Sequence, residues 1–186
     1  IGAGLSGIRL MTEMAKMKSK DDETGSEIEK IYNSVGDISS KMKEVIWSLN
    51  TENDSLGNLL SYLQKQARQM MENYPGSFTI TIPEQIPDIK IGGETRRHIY
   101  LTVKEALHNI IKHSGADKIN LVIACAGKLI IKVSDNGKGM NTGDSSNSGN
   151  GLKNMRNRME QIGGNFSVEN NQGLTLIFEI PLKPAL

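Results

Sequence analysis

Residues 94–116 read ETRRHIYLTVKEALHNIIKHSGA, and two shorter runs follow, DNGKGM at 135–140 and GNGLKNMR at 149–156. In the first run Ile99, Val103, Ala106, Leu107 and Ile110 recur at helical spacing, which predicts a helix over residues 94–113. Another face of that helix carries Glu105, Asn109 and His113 at i, i+4 and i+8, with Lys112 beside them. A carboxylate, an amide, an imidazole and a cation are thereby gathered on one side. An amide oxygen is a hard ligand suited to Mg²⁺, and a carboxylate one turn earlier can orient a water or an attacking group. A lysine there can balance phosphate charge. An ordinary amphipathic helix with solvated polar residues would have the same spacing, so this run acquires meaning only with the other two.

Asp135 closes a predicted strand, 128–134, in which Leu129, Ile131 and Val133 alternate with polar residues. A carboxylate at a strand end can accept the exocyclic amine of a purine, and Gly137 and Gly139 allow backbone to approach a ligand closely. The same Asp-Asn-Gly would also suit a hairpin turn. In the third run Gly149 and Gly151 lead directly into a predicted helix, 151–162, whose first N–H groups and dipole favour a phosphate. A flexible linker into a helix is the plainer alternative. The three runs stand in order, about 26 and then about 14 residues apart, and this ordered spacing is more specific than any one of them.

Around these runs the period changes. Strands are predicted at 78–82, 118–126, 128–134, 166–169 and 174–181, with helices between some of them. That order fits a sheet covered on one face by helices, a two-layer α/β sandwich. Upstream, residues 1–20 and 25–50 read as helices, and 56–73 as a third. In the second, Ile28, Ile31, Val35, Ile38, Met42, Val45 and Leu49 step 3, 4, 3, 4, 3, 4, an a/d seam. Two such helices cannot enclose a four-helix core alone, and a homodimer would supply the other pair. The alternative is a hairpin packed on its own domain. The fold expected is therefore α+β: a helical hairpin over 1–54, forming a dimeric four-helix bundle, then the sandwich over 55–186.

Composition narrows the function. The 186 residues hold 22 Lys+Arg against 21 Asp+Glu, a net charge of +1, so no electrostatic footprint for nucleic acid is expected. No apolar run approaches the roughly 20 residues that span a bilayer. One cysteine excludes an internal disulfide framework. Glycine is in excess, 19 residues, and it clusters between 137 and 173, where the second and third runs lie. The first residue is Ile rather than Met, so the sequence is expected to be a piece of a longer protein.

The residues of the three runs resemble the N box, the G1 box (DNGKGM) and the G2 box (GNGLKNMRNRMEQIGG) of the Bergerat-fold (GHKL) ATP-binding domain. In detail they resemble sensor histidine kinases of the NarX/DesK-type subclass, and IGAGLSGI at 1–8 resembles the segment that follows the phosphoacceptor His there. The resemblance covers nearly the whole chain and is strongest from Glu94 to Gly164. It implies ATP and Mg²⁺ as cofactors, with Asn109 coordinating the metal, Glu105 as the N-box acid and Lys112 and His113 beside the phosphates. It implies that Asp135 reads adenine, with Gly137, Gly139 and Met140 in its loop. Gly149, Gly151 and Leu152 would serve the phosphate side, a lid would run from about 140 to 150, and Thr175 would stand beside the adenine pocket.

The resemblance further implies transfer of the ATP γ-phosphate to a His and onward to an Asp of a response-regulator receiver domain. The expected setting is the cytoplasmic portion of a bacterial membrane-anchored receptor, touching membrane only through a missing upstream part. The phosphoacceptor His is expected about three residues before Ile1. His98, His108 and His113 all fall in the N-box helix and do not replace it, so this piece is expected to bind nucleotide without labelling itself. The family's phenylalanine-containing box is not evident. A serine/threonine protein kinase of the anti-sigma type, or a dimer module without nucleotide, remains as an alternative.

Overall fold

The computed structural model describes residues 2–18, 22–140, 150–170 and 172–182. By contacts the chain divides into two compact units, Ile1–Leu49 and Asn50–Leu186.

The first unit is an antiparallel pair of helices, α1 (Gly2–Lys18) and α2 (Asp22–Leu49). Arg9 on α1 donates to the Tyr32 hydroxyl on α2 at 2.6 Å and lies over its ring, and Lys16 pairs with Glu29 at 2.9 Å. The α2 seam splits into two rows of seven-residue spacing. Val35 is buried and Ile28 and Met42 are half-buried, whereas Ile31, Ile38 and Val45 remain exposed. One α-helix can cover only one flank of such a seam, so the second flank keeps its apolar side chains in contact with water.

The second unit begins with a short 3₁₀ turn, Thr51–Asn53, capped by Asn50, whose side-chain oxygen accepts from the Glu52 N–H. Helix α3 (Leu56–Met71) starts at Ser55, whose Oγ accepts from the Asn58 N–H at 3.1 Å. Its Leu56, Leu59, Leu60, Leu63, Ala67 and Met71 form the buried stripe that the 3.6-residue period predicts. Helix α4 (Gly93–Asn109) buries Ile99, Tyr100, Val103, Ala106 and Leu107, and Tyr62 of α3 meets Tyr100 edge-on at 5.1 Å.

Five strands follow as predicted, interleaved with the helices: β1 (Ser77–Thr81), β2 (Lys118–Cys125), β3 (Lys128–Asp135), β4 (Asn165–Asn170) and β5 (Leu174–Pro181), with α5 (Asn150–Gln161) between β3 and β4. They make one mixed sheet in the order β1-β2-β3-β5-β4, parallel at β1–β2 and antiparallel elsewhere. Ile119, Leu121 and Ile123 of β2, Leu129, Ile131 and Val133 of β3, and Leu176, Phe178 and Ile180 of β5 are buried and stand in register. Phe166 of β4 stacks on Phe178 at 5.3 Å. The alternate residues are more exposed and more polar. Thr79 donates to Asn120 at 2.6 Å on that side, and Lys128 pairs with Glu179 and holds its carboxyl below the ordinary value. This is the two-layer α/β sandwich that the sequence predicts.

One boundary differs from expectation, and one junction is tied in a particular way. Arg96 of α4 binds residues 50 and 54 into the second unit. This guanidinium is fully buried, donates from its Nη2 atom to the Asn50 carbonyl at 3.0 Å and to Asp54 at 2.7 Å, and from its Nε atom to the Ile91 carbonyl. The helix predicted over 94–113 is α-helical only to Asn109 and continues as one π turn, Ile110–Ser114. The Ser114 hydroxyl donates to the Ile110 carbonyl and accepts from the Ala116 N–H, and Gly115 at φ +63° closes the helix.

Candidate functional site

A cavity of about 260 Å³ opens where α4, the π turn, the end of β3, the start of β5 and the start of α5 converge. Asp135 stands at its base as the last residue of β3 and is 8% exposed. One carboxylate oxygen accepts from the Gly137 N–H at 2.8 Å. Among the described residues the other has no donor, which leaves a mostly buried acceptor lining a cavity. That oxygen lines the cavity and can accept from a ligand there.

The loop after Asp135 is held from several sides. Asn136 accepts through Oδ1 from the N–H groups of Asp117 and Lys118, and donates to the Asp117 carboxylate at 2.6 Å. The Lys138 N–H donates to the Ser114 carbonyl. A Cβ on Gly137 would fall inside contact distance of that same carbonyl, so the residue must be glycine for the loop to lie against the π turn. Gly139 takes φ +65°. It and Met140 form one wall of the cavity.

Across the cavity the end of α4 presents Asn109 and the π turn presents Ile110, His113 and Ser114, while Ile111 and Lys112 lie exposed outside it. Extra turns of this kind recur at functional sites because they turn side chains that a regular helix would aim elsewhere. Asn109 and Glu105 face the first turn of α5, whose Gly151 and Leu152 also line the cavity. A Cβ on Gly151 would stand 2.7 Å from Glu105 Oε1 and 3.2 Å from Asn109 Nδ2. Glycine there lets a helix N-terminus, a carboxylate and an amide share one small space.

Seven of the residues singled out in the sequence thus line one cavity: Asn109, His113, Asp135, Gly139, Met140, Gly151 and Leu152. Glu105 and Gly137 shape it from just behind. Lys112 is exposed and outside it. Thr175 does not line it: strand alternation turns Leu174 and Leu176 of β5 into the cavity, and Thr175 stands on the sheet's other face beside Ser134. Gly149 and the interior of the expected lid lie outside the described residues. Other residues with a place at the site were not singled out as such. Ser114, Lys138 and Leu174 line the cavity, and Gly173, at φ +122°, brings β5 against the Asp135 carbonyl so closely that a Cβ would overlap it. The available signal was a glycine at a strand edge, which marks close backbone approach as well as a turn.

Known proteins are similar to this chain. Residues 94–184 match the family model described as histidine kinase-, DNA gyrase B-, and HSP90-like ATPase. The sensor histidine kinase LiaS of Bacillus subtilis is 27% identical over 187 aligned residues, which cover 97% of this chain and 50% of that protein. Sensor protein VraS of Staphylococcus aureus is 31% identical over 88 residues, 47% of this chain and 25% of that protein. The chain therefore spans about half the length of a curated relative that it matches along nearly its whole extent. Among solved structures, the histidine kinase domain of the Erythrobacter litoralis EL346 blue-light activated histidine kinase has a TM-score of 0.60 at 17% identity, covering 97% of this chain and 94% of that one. The Acinetobacter baumannii histidine kinase AdeS has a TM-score of 0.61 at 16% identity, covering 97% and 94%. Fold, site and relatives agree, and residues 94–184 of this chain form a GHKL domain of the histidine kinase-, gyrase B- and HSP90-like ATPase family.

Proposed function

We propose that this chain is the ATP-binding catalytic portion of a two-component sensor histidine kinase of the NarX/DesK-type subclass, together with much of its dimerisation hairpin. The observation that carries the reading is Asp135, a mostly buried carboxylate with one oxygen unmatched, opposite Asn109 in the same cavity. The Asp135 oxygen accepts the adenine amine. Ala106, Ile110 and Leu176 supply apolar surface beside it.

The donor set near α5 suits Mg²⁺. Among the described residues no group of three His, Cys, Asp or Glu side chains could cage a metal alone. Mg²⁺ commonly takes one or two protein oxygens and completes its shell with phosphates and water. Asn109 would hold it through its amide oxygen, with Glu105 next to that amide. Bound there, the ion would neutralise charge on the transferring phosphoryl group. Glu105 orients a water or the attacking nitrogen, and the N-terminus of α5 faces the phosphates. Lys138 and His113, which line the cavity, add positive or donor groups near them.

In the intact protein the γ-phosphoryl group passes from ATP to a histidine nitrogen, leaving ADP, and then to an aspartate of a response-regulator receiver domain. The exposed row Ile31, Ile38 and Val45 supports a homodimer through the N-terminal helices, and weighs against an anti-sigma-type serine/threonine kinase. Among the described residues no helix is long and apolar enough to cross a membrane. The portion is assigned to the cytoplasmic side of a membrane-anchored bacterial receptor by its likeness to the sensor kinases above. A calorimetric titration of the folded chain with Mg·ADP tests the reading. Saturable binding to one site per chain is expected, and no heat at millimolar nucleotide would sink it.

A further inference from the structure

Asn170 is the last residue of β4, in register with Leu174 of β5 on the cavity side of the sheet. It does not line the cavity, yet its side chain reaches back thirty residues to the main chain of Met140, which does. Asn170 Oδ1 accepts from the Met140 N–H at 3.1 Å, and Asn170 Nδ2 donates to the Met140 carbonyl at 2.7 Å. Both functions of one amide are matched to the main-chain N–H and C=O of one residue, as in a hydrogen-bonded pair of a β-ladder. Beside this contact, a Cβ on Gly139 would overlap Asn170 Oδ1. The left-handed turn at Gly139 and the amide of Asn170 thus depend on each other: the glycine makes room, and the amide fixes where the chain goes next.

We infer that Asn170 is a positioning residue for nucleotide binding, clamping Met140 so that residues 139–140 stand as a fixed wall of the cavity opposite α4. This rests on the nucleotide reading of that cavity. Nothing else among the described residues hydrogen-bonds to the Met140 main chain. Without the clamp the wall must be ordered when the ligand arrives, and that ordering is subtracted from affinity.

The test uses the full chain with Asn170→Ala, Asn170→Asp and, as a control on the opposite face of the same strand, Glu169→Ala. Asn170→Asp keeps the acceptor for the Met140 N–H and loses the donor. Three quantities are measured: Kd for Mg·ADP, Tm without ligand, and hydrogen exchange at the Met140 amide. Asn170→Ala is expected to raise Kd roughly 5- to 10-fold, the loss of two modest hydrogen bonds, and to expose the Met140 amide to exchange. Asn170→Asp should fall between it and wild type and retain more amide protection. Glu169→Ala should leave Kd unchanged, and unliganded Tm should not follow the order of the Kd values. If the Met140 amide is deprotected while Kd stays at the wild-type value, or if only Tm falls, Asn170 is a structural brace and the inference is overturned. A wild-type chain that takes up no Mg·ADP overturns the nucleotide reading itself and this inference with it.

Discussion

The two units solve the burial of apolar side chains differently. The catalytic unit buries its own: both layers close on Leu59, Leu63, Ile99, Leu107, Leu121, Leu129, Ile131 and Phe178, all of which are nearly inaccessible. The hairpin leaves Ile38 53% exposed and Leu49 75% exposed, with Met11, Met14 and Met17 also open, and among the described residues its single buried aliphatic side chain is Val35. A sheet layer and a helix layer present broad faces that can cover each other completely, whereas two helices meet along one line and leave a second stripe uncovered. The catalytic unit is a folding unit in its own right. The hairpin leaves an apolar stripe that a second pair of helices, as proposed above, would cover.

The largest effect is expected where that stripe is charged. Ile38→Glu puts a carboxylate into the proposed interface twice, once per copy, and burying an unpaired charge costs several kcal/mol. Sedimentation should show the dimer weakened by about 100-fold or more, with Mg·ADP affinity per chain unchanged. A dimer of wild-type strength would break the contrast between the units. Next comes the junction. Arg96→Ala removes a fully buried guanidinium and strands Asp54, and loss of a partner from a buried pair costs about 3–5 kcal/mol, toward the lower end here because Asp54 is partly exposed. Urea denaturation should locate that loss in the catalytic unit, with the far-ultraviolet signal of the hairpin melting as before.

Asp135→Asn tests the site at a smaller cost. A hydrogen bond to a charged group contributes about 1.5–3 kcal/mol, so ADP affinity should fall about 10- to 100-fold, measured by calorimetry on a variant whose circular dichroism matches wild type. Equal affinity would remove Asp135 from the purine contact. The smallest effect is a pH dependence confined to the catalytic unit. Burial depresses the His98 pKa below its ordinary 6.5, with Arg97 and Arg158 adding and Glu94 opposing. Its Nδ1 has no hydrogen-bond partner, and Glu94 lies 3.8 Å from Nε2. The unfolded chain therefore binds the proton more readily. The stability from His98 is complete above about pH 6.5 and declines as pH falls toward the folded-state value. Urea melts at pH 7.5 and 5.5 should show a smaller decline for His98→Gln than for wild type, and equal declines would remove His98 from the effect.

Much of the fold was legible in order and type of element, because the apolar period switches cleanly from 3.6 to 2 at Phe78 and back again at the later helices. The facing of individual side chains was less legible. Register with β3 decides which way β5 side chains face, and Val133 opposite Leu176 turns Leu174 and Leu176, rather than Thr175, into the cavity. The count of four residues per turn carries through the π turn to His113, which lines the cavity, whereas Lys112 beside it does not. Asn170 and Gly173 looked like a plain Asn-Asn-Gln-Gly turn, because the contacts that give them a place at the site are with Met140 and Asp135, more than 29 residues earlier.

The sequence by itself determined which residues form helices and strands, that the hairpin carries an unmatched apolar seam, and that a carboxylate, an amide and paired glycines recur in the order of a nucleotide site. These follow from local spacing, since a side chain's direction along one helix or strand depends only on its neighbours. Tertiary structure alone decided how the strands are ordered, that Arg96 binds Asn50 and Asp54 into the catalytic unit, and that His113 rather than Lys112 lines the cavity. It also decided that Gly137, Gly151 and Gly173 are required by close backbone or side-chain approach from Ser114, Glu105 and Asp135. Those outcomes depend on what stands across the gap from each residue, and no local period encodes that.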